Sequence, residues 1–265
     1  MSASRDPFSL QGRTALVTGA AGHLGEAMVE ALARAGAHVL VNGRSSERVD
    51  ASVAALLSSG LSAESAVFDV TRAAEVDAFF AARPSMALHV LVNNAYAGGA
   101  GTVEMAHDDA YRSCYEIVVV AAHHVTRAAL PSLRRAVADK TASVVNIASM
   151  YALVSPDRRV YDADVSVNPP YYGAAKAALL QWTRYSACEF GPEGIRFNAV
   201  SPGPFPSDAV QVSNPRFVER LASKVPLRRI GSAPEVASAV QFLASDAASF
   251  VNGANLVVDG GWTCW

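Results

Sequence analysis

The chain has 265 residues, 51% of them hydrophobic and 17% charged, with a formal net charge of -2. This suits one α/β domain (residues 1–265) whose core needs neither disulfide nor structural metal, and it excludes extended disorder and coiled coil. The balanced charge gives no reason to expect nucleic acid or an anionic membrane as a partner. Cys114, Cys188 and Cys264 have no metal-ligand spacing and read as reduced thiols. The pair His123-His124 reads as surface or packed histidine, and no metal site is expected. Residues 1–11 lack a signal-type apolar segment, and residues 118–122 are too short to span a bilayer. A cytoplasmic protein is expected.

In chain order, residues 14–18 read as an apolar strand, followed by a glycine-rich turn and a helix over 26–35 that ends at Gly36. Residues 38–41 form the next strand, which completes a β-α-β unit. Residues 65–68 read as a strand, 75–82 as a helix, and 90–92 as a buried strand ending at Asn93-Asn94. A long helical region over 108–138 is expected to break near Pro131. A strand at 143–147, a helix at 172–190 and a strand at 195–200 follow, the last stopped by Ser201-Pro202-Gly203. Helices near 215–224 and 234–243 and a strand at 254–258 close the chain. Apolar runs alternating with helices predict a mostly parallel, doubly wound sheet of the Rossmann type, a three-layer α/β/α arrangement. Ligands in such sheets bind beyond the carboxyl ends of the strands, which draws the Gly19 turn, Asn93, Ser149 and Pro202 together.

The first β-α junction carries Thr18, Gly19, Gly22, His23, Leu24 and Gly25. Glycines there admit a pyrophosphate close to the backbone, and the helix start offers unpaired N–H groups. The competing reading is an ordinary glycine-rich turn. After the second strand stand Asn42, Arg44 and Ser45, where a NAD-preferring site commonly has an acid. An arginine fork suits a 2'-phosphate, so NADP is expected ahead of NAD, although a solvated Arg44 is the plain alternative. Asp69 and Val70 are placed to border an adenine, with Asn93 and Ala95 further along the cleft.

Tyr172 and Lys176 lie one helical turn apart on one face. A phenol with a pKa of about 10 is a poor base at neutral pH, and a neighbouring ammonium would lower that value. The same hydroxyl would donate its proton in the reductive direction. Small residues beside the pair leave room for close approach. Tyr171 has Ala175 rather than a lysine four positions on, and reads as packing or pocket wall. Ser149, after the strand ending at Ile147, would hydrogen-bond the substrate oxygen, or else serves as a turn or cap serine.

These residues resemble the short-chain dehydrogenase/reductase family over nearly the whole chain. The resemblance runs from residues 12–19 through Asn93-Asn94-Ala95, 146–149, Tyr172 to Lys176 and Ser201-Pro202-Gly203 to 258–261. It implies an NAD(P)-dependent enzyme, usually a homotetramer or homodimer, with Ser149, Tyr172 and Lys176 in the roles above and Lys176 on the cofactor ribose. The sequence departs from the family at four places. His23 stands where a glycine is usual, and Tyr96 replaces the glycine of Asn-Asn-Ala-Gly. Ile117 or Val118 replaces the asparagine that anchors a relay water beyond the lysine. The segment between Ser149 and Tyr172 is lengthened, giving a longer substrate-side loop at about 150–170.

That loop is expected either to be inert or to wall the substrate mouth, with Arg158 or Arg159 meeting an anionic or polyhydroxylated substrate. Together with Tyr96 it resembles a bacterial sugar-linked oxidoreductase subgroup. Residues 204–226 form the expected lid, with Ser207 near the cofactor and Met150 and Phe205 on the substrate side. The leading expectation is a carbonyl reductase or alcohol dehydrogenase acting on a small molecule, with a sugar-like substrate in view. A dinucleotide-binding regulator or structural protein without chemistry and an isomerase or dehydratase with transient use of nicotinamide are the alternatives.

Overall fold

The structure, a computed structural model, describes residues 6–163 and 167–265. Residues 1–5 of the leader reading and Asp164 of the long loop lie outside the described residues. Among the described residues, seven strands form one parallel sheet in the order β3-β2-β1-β4-β5-β6-β7. They are β1 (Thr14–Val17), β2 (His38–Gly43), β3 (Ala63–Val67), β4 (Val90–Asn93), β5 (Ala142–Ile147), β6 (Ile195–Pro202) and β7 (Asn255–Val258). Strand alternation divides the core. Val17, Val41, Val92 and Val145 face one helix layer, and Leu16, Leu40, Leu91 and Val144 face the other.

The first layer holds α1 (His23–Arg34), α2 (Ser46–Ser58) and α9 (Ala233–Ala244), and the second holds α3 (Ala73–Ala81), α5 (Ala121–Asp139) and α6 (Pro170–Phe190). The expected doubly wound α/β/α fold is therefore present. Because β1 lies between β2 and β4, the strand order reverses beside it, and a crevice opens at the carboxyl ends of these strands. Among the described residues, three further helices are α4 (Asp108–Tyr115), which packs on α6, and α7 (Asp208–Ser213) and α8 (Pro215–Lys224).

Two expectations about helices need correction. The sequence reading passed over α2, although Ser45 caps it by accepting from the Arg48 N–H and Val49, Val53 and Leu56 bury its inner face. The long helix does not break at Pro131, which sits inside α5. It opens instead into a π-helical turn over Glu116–Val120. The β-branched residues Ile117 to Val120 are stiff at χ1 and crowd a regular helix. Val118 on that turn packs with Tyr171, Ala175 and Leu179 of α6, so α6 holds the irregular turn in place.

Candidate active site

The Gly19 turn is built by backbone contact and local hydrogen bonds. Gly19 has φ +60°, and a Cβ there would lie 2.7 Å from Ala95 Cα. A Cβ at Gly25 would press into the carbonyl oxygens of Gly19 and Ala20, at 2.8 Å from the latter. The start of α1 and the end of β4 thus both touch this turn. Thr18 Oγ1 donates to the Val92 carbonyl at 3.2 Å and accepts from the N–H groups of Asn94 (2.9 Å) and Ala95 (3.1 Å). Asn94, which the sequence reading left out of the site, donates to the carbonyls of Thr18 (2.9 Å) and Gly19 (3.0 Å). Asn42 donates to the Ala66 and Phe68 carbonyls at 2.8 and 3.1 Å. The side chains of Thr18 and Asn42 are therefore committed to the chain and pin the strand ends.

A cleft of about 530 Å³ opens over this turn. Of the expected cofactor residues, Gly19, Gly22, Asn42, Arg44, Ser45, Asp69, Val70 and Ala95 line it, and so does Tyr96. His23 and Leu24 do not line it. They begin α1, His23 exposed and Leu24 packed toward the core, so what they can offer a ligand is main-chain N–H. Arg48 is a further cleft residue, donating to the Ala21 carbonyl. The signal for it lay in the unread α2, whose first turn carries it. Arg44 projects with a 69% exposed side chain, 3.9 Å from the Asp69 carboxylate. Burial pushes Asp69 up, but the hydrogen bonds from Thr71 and the charge of Arg44 outweigh it and leave the carboxyl below its ordinary range.

Asn93 is buried at the end of β4, where it donates to Asn146 Oδ1 (2.8 Å) and Thr126 Oγ1 (3.3 Å). Asn146 in turn donates to Thr183 of α6 at 2.9 Å. This polar ladder ties two strand ends to the helix that carries Tyr172 and Lys176. Asn93 Oδ1 has no hydrogen-bond partner. Asn93, Lys176, Ile117 and Val118 also line a cavity of about 10 Å³, about the size of one water.

At the other end of the crevice, Ser149 lines one cavity with Tyr172 and accepts from the Tyr151 N–H at 3.1 Å, so it is both turn serine and neighbour of the phenol. Burial raises the Tyr172 pKa, the nearby Ser149 hydroxyl opposes that, and Cys114 adds to the rise. The net direction is opposite to that expected from the sequence. The reason is geometric. Lys176 Nζ donates to the Ile147 carbonyl at 2.6 Å and stands 5.7 Å from the centre of the Tyr172 ring. Burial lowers Lys176 itself to about 8. Tyr96 packs edge-on against Tyr172 with centroids 4.7 Å apart, between the cleft and the phenol. Tyr171 packs edge-on against Tyr111 at 5.5 Å, away from this chemistry.

A second cavity, of about 300 Å³, is lined by Ser149, Tyr172, Met150, Gly203 and Phe205. Tyr151, Tyr161 and Asn168, none of them singled out from the sequence, complete its polar wall. Met150 reaches into a buried cluster with Val160, Leu221, Val225 and Trp262, which seats α8 against the loop. Gly203 is required by close packing, since a Cβ there would lie 2.5 Å from Asp259 Cα. Pro202 ends β6 opposite Val258. Ser207 stands at the N-cap of α7 and is absent from the cavity wall. Arg158 is displaced from its expected place: it lines a separate cavity of about 540 Å³ behind Tyr151 and Asn168. The chain between it and Ser149 turns through residues 150–152 and carries it past the mouth.

Residues 19–263 match the family profile described as Enoyl-(Acyl carrier protein) reductase. Gluconate 5-dehydrogenase of Gluconobacter oxydans is 34% identical over 97% of both chains. Galactitol 2-dehydrogenase of Rhizobium johnstonii is 36% identical over 97% of this chain and 98% of its own. Among solved structures, a gluconate 5-dehydrogenase from Burkholderia cenocepacia in complex with NADP and tartrate superposes with a TM-score of 0.86 at 29% identity, covering 98% of each chain. The chain belongs to the short-chain dehydrogenase/reductase family and is related to its bacterial sugar oxidoreductases. It is an NAD(P)-dependent oxidoreductase of carbonyl and alcohol substrates. Among the described residues, no helix is long and apolar enough to cross a membrane.

Proposed function

We propose that this protein is an NADP-preferring dehydrogenase or reductase in which Tyr172 is the acid and base, Ser149 orients the substrate oxygen and Lys176 supports the cofactor ribose. The observation that carries the reading is that Ser149 and Tyr172 share the wall of one cavity, with Tyr96 packed on Tyr172 and lining the cleft over the Gly19 turn. The cleft fits a dinucleotide. The close backbone approach at Gly19 and Gly25 leaves room for phosphates at the start of α1, and Arg44 and Ser45 stand at the rim where a 2'-phosphate would lie. NADP in the Burkholderia relative supports the same choice, and NAD is the weaker-binding alternative. When bound, the nicotinamide supplies or accepts the hydride.

The residues of the chain handle the proton. During reduction the Tyr172 hydroxyl gives its proton to the substrate oxygen as that oxygen gains charge, and in oxidation it takes the proton back. A phenol held above its ordinary pKa keeps its proton at neutral pH, which favours the reductive direction. The Ser149 hydroxyl, beside Tyr172 in the cavity wall, fixes the angle at which a carbonyl oxygen meets both groups. Lys176 uses one of its three donors on Ile147, leaving the others for a ribose hydroxyl. Tyr96, Met150 and Phe205 shape the substrate side, and residues 204–226 act as its lid. A sugar-related substrate is supported by the names of the Gluconobacter and Rhizobium relatives. Exposed Tyr115, Val120 and Tyr185 on the α4 to α6 side support a homodimer or homotetramer, and the composition suits a cytoplasmic protein.

Dissociation constants for NADPH and NADH, measured on wild type and Arg44→Ala, test the cofactor reading. The substitution is expected to weaken NADPH about tenfold while changing NADH less than about twofold. Equal losses remove the phosphate role of Arg44.

A further inference from the structure

The cavity beside Tyr172 offers hydrogen-bonding groups without charge. Among the described residues that line it, the polar side chains are Ser149, Tyr151, Tyr161, Asn168 and Tyr172, and none is a lysine, arginine or acid. The basic side chains of the surrounding loop and α8 stand outside this lining, exposed Arg216 among them. Arg159 and Lys224 both pair with Asp157. Arg220 pairs with Asp162 and donates to the Val160 carbonyl, each at 2.6 Å. Arg158 lines the neighbouring cavity, and Tyr151 and Asn168 line both cavities as a shared wall. A carboxylate drawn into the space beside Tyr172 would lose water and gain no counter-ion, which is costly. A hydroxyl there needs only a donor or an acceptor.

Asn168 supplies an acceptor that has no partner. Beside it in the cavity wall, the Tyr161 hydroxyl meets the Tyr151 hydroxyl at 2.8 Å. The side-chain Oδ1 of Asn168 is buried and accepts no hydrogen bond. Buried amide oxygens without partners are uncommon because each gives up the hydrogen bond it made to water. Asn168 lines the reaction cavity, so a turn of its side-chain amide brings this oxygen to a ligand donor.

We propose, resting on the dehydrogenase reading above, that the substrate is an uncharged, hydroxyl-bearing ketone or the matching polyol, and that Asn168 is the specificity-determining residue that accepts from a substrate hydroxyl. Such a site differs from one that takes a carboxylate beside the reacting carbon, where a cation would have to meet it.

The test measures NADPH-dependent reduction of three ketones of equal chain length. One carries neutral hydroxyls, one carries the same hydroxyls with a terminal carboxylate, and one lacks the hydroxyls. Wild type is expected to show kcat/KM about tenfold or more higher on the neutral hydroxyketone than on either other compound. Asn168→Leu is expected to lose about tenfold on the hydroxyketone and to stay within about twofold on the ketone without hydroxyls. NADPH affinity within about twofold of wild type verifies that the variant is folded. Wild-type preference for the carboxylate or for the hydroxyl-free ketone overturns the proposal without any variant. So does an equal loss on all three substrates in a variant that still binds NADPH. Failure of wild type to reduce any of the three, or a wider set of simple carbonyls, overturns the dehydrogenase reading and this inference with it.

Discussion

The two ends of the crevice are held by different forces. At the cofactor end, Thr18, Asn42 and Asn94 commit their polar side chains to neighbouring strand ends, and Gly19 and Gly25 let backbone meet backbone. At the substrate end, residues 149–163 and α8 are joined by an apolar cluster around Met150 and Leu221 and by ion pairs at the rim. There Ser149, Tyr172 and Asn168 face a cavity, and Asn168 Oδ1 has no partner within the chain. A frame whose hydrogen bonds are internally satisfied tolerates little change. A mouth made of loops on that frame can alter its lining without disturbing the sheet, so one fold can serve many substrates.

The sharpest way to break this contrast is to remove chemistry without touching either kind of scaffold. Tyr172→Phe deletes one oxygen and retains the ring that packs on Tyr96. Turnover is expected to fall about a thousandfold, within the range for loss of a general acid, with NADPH binding changed less than about twofold. Steady-state kinetics beside cofactor titration check both halves. Retained turnover would place the proton donor elsewhere.

Gly25→Ala attacks the rigid end. Alanine normally favours a helix, but here its methyl would press on the carbonyls of Gly19 and Ala20 and move the turn. A loss of about 1–3 kcal/mol in urea unfolding is expected, together with weaker NADPH binding. An unchanged unfolding midpoint would mean that the turn yields, and the contrast between the two ends would soften.

Lys176→Met sharpens the comparison, because Lys176 carries a buried charge. Its pKa falls from 10.5 to about 8, chiefly through burial. The folded state therefore binds fewer protons than the unfolded state between those values, and stability rises with pH across that window. The cost of the buried ammonium is present in full below about pH 8 and fades toward 10.5. Loss of the donor to Ile147 offsets about 1 kcal/mol of the gain from removing the charge. At pH 7 the variant is expected to melt roughly 2–4 °C higher while losing turnover, with the gap closing as pH rises. Thermal melts at pH 7, 8.5 and 10 test the sign, and a gap that widens with pH would contradict it.

The same contrast explains what could be read from residues alone. The apolar runs of β1, β4, β5 and β6 announce buried parallel strands, because both faces must be covered. Gly19, Gly25, Tyr172 and Lys176 announce themselves through spacing, since their roles depend on turn and helix geometry. Asn168 and Tyr151 carry no such signal, because what matters is which loops meet, and no local period encodes that. The raised Tyr172 pKa was likewise hidden, since spacing gives the distance to Lys176 along the helix but not the depth of burial. The π-helical turn escaped notice because Pro131 is the louder sequence signal, although four consecutive β-branched residues stand at 117–120.

The smallest effect is expected at Arg158, and it tests whether the mouth has one compartment or two. Arg158 lines the cavity behind Tyr151 and Asn168 and is absent from the wall that Tyr172 shares with Ser149. A small ketone reduced at Tyr172 need not reach it, so Arg158→Ala should change kcat/KM on short neutral ketones by less than about twofold. A longer substrate that passes the Tyr151–Asn168 wall would meet the guanidinium and feel its loss. Kinetics on a series of increasing chain length therefore locate the wall: the effect should be flat for short chains and rise only beyond it. A large loss on the shortest ketone would mean that the two cavities act as one and that Arg158 belongs to the reacting end after all.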